Sequence, residues 1–348
     1  MSKKVYIILI PIVIIGIIIA VYALRQRDQT EWATTQDFVM DTLATQKLYG
    51  SDGSAGSELM ERLSTSLSMY VDGSEIDRIN SNAGKEYTSV SKDTFEIIKQ
   101  SKELSEKSNG IFDITIAPVT RLWGINGKDT VPTVPKDEDI DAALALVDIN
   151  RLELSQENDS VMLLDENMMI DLGGIAKGYA CDKLYELYSG EKKLKAAIAS
   201  FGSSILLYGD KPDKSPFNVA INSPHGENQF LGIVKLKAGK NGKFISTSGG
   251  YERFFEVDGK KYHHIFDAQT GRPANTDLIS VTVITDNGAE SDYLSTLLFI
   301  KGKNSLSQYM DKYGIIAVDE DNNVYISDGL KDDFELSEDL GFKLGELQ

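Results

Sequence analysis

The stretch MMIDLGGIAKGYACDKLYELY, residues 168–188, sets an acid, two glycines and a lysine between an apolar run and a second series of apolar positions. Met168 to Ile170 read as the end of a buried strand, while Ile175, Tyr179, Leu184 and Leu187 recur at helical intervals. Gly173 and Gly174 therefore fall at a strand-to-helix turn. Such a turn presents backbone N–H groups at the positive end of a helix, where glycine lets a phosphate approach closely and Lys177 adds a charge. The plainer reading of the same residues is a tight turn with a solvated lysine.

Outward from that turn, short strands alternate with hairpin signals. Asp258-Gly259 in FFEVDGKKYHHIFD marks a tight hairpin, LISVTVIT reads as a strand, and GAESDYLSTLLFIKG as a helix stopped by Gly302. On the N-terminal side DFVMDTLATQKLYG suggests a first strand, and Leu59, Leu63 and Leu67 form a helical stripe. Ser91 caps a helix that ends at Asn109-Gly110. Residues 124–141 read as a surface loop. Clustered helices with many hairpins give an α+β fold rather than a doubly wound sheet.

The 348 residues carry a net charge of −17. Residues 1–27 hold Lys3, Lys4, Arg25 and Arg27 and no acid, so the remainder has 32 basic against 53 acidic residues. That surface repels nucleic acid and acidic membranes and excludes a nucleic-acid groove, and phosphate chemistry on it calls for a metal cation. Cys181, the one cysteine, rules out an internal disulfide framework and reads as a packed side chain. Val5 to Leu24 is uncharged and nearly all apolar, close to the roughly 20 residues that span a bilayer. Residues 1–27 are therefore expected to be a retained membrane anchor, with VYA at 21–23 imitating a cleavage site, residues 28–36 a polar tether, and 37–345 the folded domain.

Three clusters could carry chemistry. Asp292 and Thr296, four apart on a helix, share one face and could offer two oxygens to a Mg²⁺ ion, or could serve the helix itself. His263 and His264 lead into a turn made by Asp267, Thr270 and Gly271. One of the pair faces each side of the strand, and spacing does not choose between them as a general base. Asp113, within NGIFDITIAPVTRLWG, needs hydrogen-bond donors from either a planar ligand or a neighbouring turn.

Taken in order, MDT (40–42), SEIDRIN (74–80), GIFDITIAPVTRLWG (110–124), DLGGIAKGYACD (171–182), TSGGYERFF (247–255), HIFDAQTGRP (264–273) and SDYLST (291–296) resemble the ApbE family of flavin transferases. The resemblance implies an ApbE-like mixed α/β fold of two closely packed subdomains behind the membrane helix. It implies an extracytoplasmic FAD:protein FMN transferase, anchored in the cell membrane, that moves FMN from FAD to a Thr or Ser hydroxyl and releases AMP. The acceptor would be a separate protein with an FMN-binding domain, a membrane redox subunit. By motif position, metal ligands fall on the Gly174 carbonyl, Asp292 and Thr296. Flavin and nucleotide contacts fall on Met40, Tyr70, Ile111, Phe112, Asp113, Asp171, Lys177, His264 and Ile265. His264 would assist the attacking hydroxyl, with Lys177 and Asp292 completing the catalytic set. The chain departs from the family at Gly202-Ser203-Ser204, where Gly-Gly-Asn is usual, and at Ala268, where proline is usual. Hydrolysis of FAD by the same site, and flavin binding without turnover, are the alternatives.

Overall fold

The computed structural model describes residues 31–125, 131–226, 229–338 and 340–347. The expected anchor at 1–27 lies outside them, and among the described residues no helix is long and apolar enough to cross a membrane.

The chain opens with strands β1 (Trp32–Val39) and β2 (Thr42–Tyr49). Val39 pairs with Thr42, so Met40 and Asp41 alone make the turn, both with positive φ (52° and 56°). That is the geometry of a type I′ hairpin, which favours Asn and Gly. Two sequence expectations change here. The single first strand is a hairpin, and Trp32 to Gln36, assigned to the tether, belong to β1. Their outward residues Thr34 and Gln36 are polar because this stretch of the edge strand faces solvent on one side.

Helices α1 (Ser54–Ser66), α2 (Glu75–Ser81), α3 (Lys92–Lys107), α4 (Ala117–Trp123) and α5 (Asp137–Leu144) follow, with β3 (Thr88–Ser89), β4 (Leu152–Ser155) and β5 (Ser160–Leu163) as a small sheet. The loop expected over 124–141 ends early, because Asp137 already begins α5. Ser91 caps α3 by accepting from the Thr94 N–H. Then come α6 (Ala176–Gly190), β6 (Ala196–Phe201), β7 (Ser204–Gly209), β8 (Phe217–Asn222), β9 (Phe230–Leu236), β10 (Gly239–Gly249), the β11–β12 hairpin (Phe254–Val257, Lys260–His263), the β13–β14 pair (Phe266–Asp267, Arg272–Pro273) and β15 (Leu278–Thr285). The chain closes with α7 (Gly288–Lys301), α8 (Ser307–Met310), β16 (Gly314–Asp319), β17 (Asn323–Ile326), β18 (Phe334–Leu336) and β19 (Lys343–Leu344).

Among the described residues nine strands form one sheet in the order β1-β2-β6-β7-β10-β15-β16-β17-β19, and β18-β9-β8 form a second. Consecutive residues of the central strands enter different cores. Leu206, Phe244, Val283 and Ile315 join the helices, while Leu207, Ile245, Ile284 and Ile316 pack with Phe217, Val219 and Val234 of the second sheet. Successive side chains of a strand point to opposite faces, so a sheet covered on both faces reads as continuous apolar sequence. The result is three layers: helices, large sheet, small sheet.

The expected strand at Met168 to Ile170 is not one. Both ends of it are fully buried, yet the segment has no strand partner. Its backbone is held by the Asn80 side chain, which accepts from the Ile170 N–H at 2.8 Å and donates to the Ile170 carbonyl at 3.1 Å. One amide from α2 does the work of a neighbouring strand.

Candidate active site

A cleft of about 250 Å³ opens at the end of the large sheet where β1 turns into β2. Met40, Tyr70, Ile111, Phe112, Asp113, Asp171, Gly174, Lys177, His264, Ile265, Asp292 and Thr296 all line it. Every site residue expected from the sequence is thus gathered in one place, from six separate stretches of chain.

The floor is a helix crossing. A Cβ on Gly178 of α6 would lie 2.1 Å from the Gly288 carbonyl of α7, and one on Gly288 would lie 2.1 Å from the Gly178 carbonyl. Only glycine at both positions allows this contact. The crossing brings Asp292 to the first turn of α6, where its Oδ2 accepts from the Gly178 N–H at 2.7 Å. Its Oδ1 accepts from Ser204 Oγ at 2.6 Å, from the position where the family usually has asparagine. An ionised carboxylate has about four lone-pair sites, so Asp292 retains acceptor capacity. Thr296, one turn on, shares a hydroxyl contact of 3.2 Å with Ser248. A Cβ on Gly174 would stand 4.0 Å from Thr296 Oγ1, which places that residue's backbone against the same helix face.

The glycine turn differs from the expectation of unpaired amides. The Gly173 N–H donates to Asp171 Oδ1 at 2.8 Å, those of Ile175 and Ala176 to the Leu172 carbonyl, and that of Gly178 to Asp292. The positive pole of α6 faces a carboxylate of its own protein. Among the described residues no three His, Cys, Asp or Glu side chains converge to hold a metal. The oxygen donors expected from Asp292, Thr296 and the Gly174 backbone, three residues that line one cleft, are all hard oxygen. They fit Mg²⁺, which takes few protein ligands and completes its shell with water and phosphate oxygens.

The two histidines separate cleanly. His263 Nδ1 accepts from the Ile265 N–H, its Nε2 lies 3.2 Å from the Ala274 carbonyl, and its ring meets Phe299 edge-on. It braces the turn. His264 lines the cleft, with Nδ1 3.2 Å from the Arg253 carbonyl. A carbonyl only accepts, so Nδ1 carries the proton and Nε2 keeps its lone pair. Burial, assisted by the Lys177 charge, pushes this imidazole down to about 3, so it is a neutral base at pH 7.

Asp113 takes the local option. Its Oδ1 accepts from the Thr115 N–H and hydroxyl, and its Oδ2 from the Ile149 N–H, while burial raises it above the usual carboxylate range. Phe112 lies beneath Gly174 and meets Tyr293 edge-on at 5.2 Å. Asp171 is likewise raised by burial, and Tyr70 by burial and the Asp171 charge. Met40 is fixed by a 2.8 Å bond from its N–H to Ser64 Oγ.

Several residues at the site carried no assignment from the sequence, among them Ser204, the partner of Asp292 behind the cleft wall, and Glu252 and Arg253, which line the cleft. Arg253 matters through its backbone, since its carbonyl receives both the N–H and the Nδ1 of His264. YER in the fifth motif was the available signal, but a backbone role leaves no side-chain signature.

The ApbE family profile matches residues 40–318. A Klebsiella pneumoniae protein named FAD:protein FMN transferase is 34% identical over 258 residues, covering 73% of this chain and 77% of its own length. An Escherichia coli protein of the same name is 30% identical over 296 residues, 82% of this chain and 83% of that one. Among solved structures, the ApbE protein of Thermotoga maritima superposes with a TM-score of 0.76 at 29% identity, over 88% of this chain and 97% of its own. The flavin transferase ApbE of Vibrio cholerae does so with 0.75 at 25% identity, over 87% and 99%. With matching family profile, sequence relatives and three-layer architecture, this chain belongs to the ApbE family.

Proposed function

We propose that this protein is an FAD:protein FMN transferase that attaches FMN, through a phosphoester, to a Thr or Ser hydroxyl of a separate acceptor protein and releases AMP. The observation that carries the reading is the placement of His264, with a free Nε2 lone pair, in one cleft with Lys177, Asp292 and Thr296. In the reaction the acceptor oxygen forms a bond to the FMN-side phosphorus and the pyrophosphate bond to AMP breaks. The hydroxyl proton passes to His264 Nε2. Lys177, which lines the same cleft, would offset the negative charge that grows on the phosphate oxygens. Gly174, Asp292 and Thr296 would hold Mg²⁺, which would offset phosphate charge that an acidic protein has few side chains to neutralise. Met40, Tyr70 and the Ile111–Asp113 segment would contact the flavin or nucleotide portions. The acceptor is proposed to be a membrane redox subunit with an FMN-binding domain. The enzyme itself is proposed to be held in the cell membrane by residues 1–27, with its domain outside the cytoplasm.

The test mixes the full chain with FAD, Mg²⁺ and a candidate acceptor domain, and reads acceptor mass, in-gel flavin fluorescence and AMP. A gain of one FMN on the acceptor, matched by AMP and abolished by EDTA, is the expected result. FMN and AMP free in solution, with the acceptor unmodified, would replace transferase by hydrolase.

A further inference from the structure

The end of the large sheet opposite the cleft is chemically unlike the rest of this acidic molecule. There β1 begins at Trp32, β2 ends at Tyr49, and the two are paired. The Lys195 N–H donates to the Tyr49 carbonyl, and Gly209 at the end of β7 pairs with both Ala196 and Gly239. An open cavity of about 380 Å³ lies here, lined by Trp32, Lys47, Ile198, Lys211, Asp213 and Phe217 among others. Lys47 Nζ sits over the Trp32 ring and Lys211 Nζ over the Phe217 ring.

Lys192 and Lys193 precede Lys195 at the start of β6, Lys214 follows Lys211, and Lys237 and Lys240 flank the β9–β10 connection. These eight lysines share this end with Glu31, Asp52, Glu191, Asp210, Asp213 and the Asp286 that follows β15, in a chain of net charge −17. Among the described residues none of the eight is in an ion pair, whereas Lys235 and Lys243, close by on β9 and β10, pair with Glu335 and Asp286. Lys47 and Lys211 engage aromatic rings instead.

The position of this end is set by the chain. The apolar run stops at Leu24 and β1 starts at Trp32, so at most roughly 28 Å of extended backbone separates them. We propose that this lysine-rich, Trp32-bearing end rests on the surface of the bilayer that holds residues 1–27 and binds anionic phospholipid headgroups. The cavity between Lys47 and Lys211 takes a headgroup phosphate, and Trp32 takes the interfacial position that its amphipathic ring favours. This rests on the proposed anchoring and adds what the anchor alone does not supply, a fixed orientation with the cleft facing away from lipid.

The experiment places the full chain in nanodiscs of phosphatidylcholine alone or with phosphatidylglycerol and maps lysine reactivity with an amine reagent by mass spectrometry. Lys192, Lys195 and Lys211 are expected to label roughly fivefold more slowly in the anionic discs, while Lys260 and Lys261 on the β11–β12 hairpin label equally in both. High salt should restore labelling in the unaltered protein. The combined variant Lys192→Glu, Lys193→Glu, Lys195→Glu should lose the protection at Lys211 while transferring FMN normally in detergent. If alkaline extraction strips the chain from the discs, the anchoring reading falls and the docking with it. If the chain stays embedded but the lysines label equally in both lipids, the docking alone is wrong.

Discussion

Helices α6 and α7 exchange carboxylates across their glycine contact, and the two acids meet different fates. Asp182 of α6 reaches the start of α7, where Oδ1 accepts from the Gly288 N–H at 2.6 Å and Oδ2 from the Ala289 N–H at 2.8 Å. Asp292 of α7 reaches the start of α6, accepting one N–H from Gly178 and one hydroxyl from Ser204. Both complement a helix dipole. Asp182 does so behind the cleft wall, committed to two amides of one helix. Asp292 does so with its remaining lone pairs open to the cleft. The same local device therefore serves stability on one side of the crossing and chemistry on the other, and which it serves depends on what lies beyond the carboxylate.

The contrast can be broken in order of size. Asp292→Ala should lower FMN transfer about 10³-fold or more with near-UV circular dichroism unchanged. Retention of about a tenth of the activity would remove Asp292 from the chemistry. Gly178→Ala drives a Cβ into the Gly288 carbonyl and to 3.0 Å from the Asp292 carboxyl carbon, so both exchanges should loosen at once. Stability should fall by about 1–3 kcal/mol in urea, accompanied by lost activity; an unchanged midpoint would mean the crossing is slack.

Ser204→Ala removes only the second partner of Asp292. The Mg²⁺ concentration needed for half-maximal activity, and Mn²⁺ affinity by paramagnetic resonance, should worsen about 10–100-fold, with Ser204→Asn restoring much of it. Equal metal dependence in all three proteins would show the hydroxyl to be incidental. Asp182→Asn, the mirror of these, should cost about 1–2 kcal/mol near pH 4 and leave turnover near normal below the melting transition.

Acid titration sharpens the same pair. Burial pushes Asp182 up to about 7 despite its two amide donors, so the folded state holds its proton more tightly than the unfolded chain. The stability it contributes is complete below about pH 4 and is lost as pH rises towards about 7. The stability difference between the unaltered protein and Asp182→Asn should shrink across that window, and a difference that grows with pH would contradict the burial.

Much of the architecture near the site was legible. The β15 strand, the α7 helix and the Asp258-Gly259 turn stand where periodicity and turn chemistry put them, because each is specified by its own residues. The pair Asp292 and Thr296 was visible for the same reason, since helical spacing alone sets them on one face. What failed to read was structure supplied from a distance. Met168 to Ile170 looked like a strand because they are buried and extended, but their partner is a side chain 90 residues away. The Met40-Asp41 turn lacks the glycine that would announce it, and Ser64 holds it from another element. The choice between His263 and His264 depended on which carbonyls surround them, information that no spacing contains.

Strand β1 joins the point where the chain leaves residues 1–30 to the Met40 turn inside the cleft, and at a strand's rise per residue the eight steps from Trp32 to Met40 span roughly 26 Å. If residues 1–27 hold the enzyme in a bilayer as proposed, that length would act as a ruler. An acceptor hydroxyl lying flush with the lipid would be below its reach, and one displayed on a domain standing a few nanometres clear would meet it. Client choice would then begin with altitude, before any acceptor sequence is read.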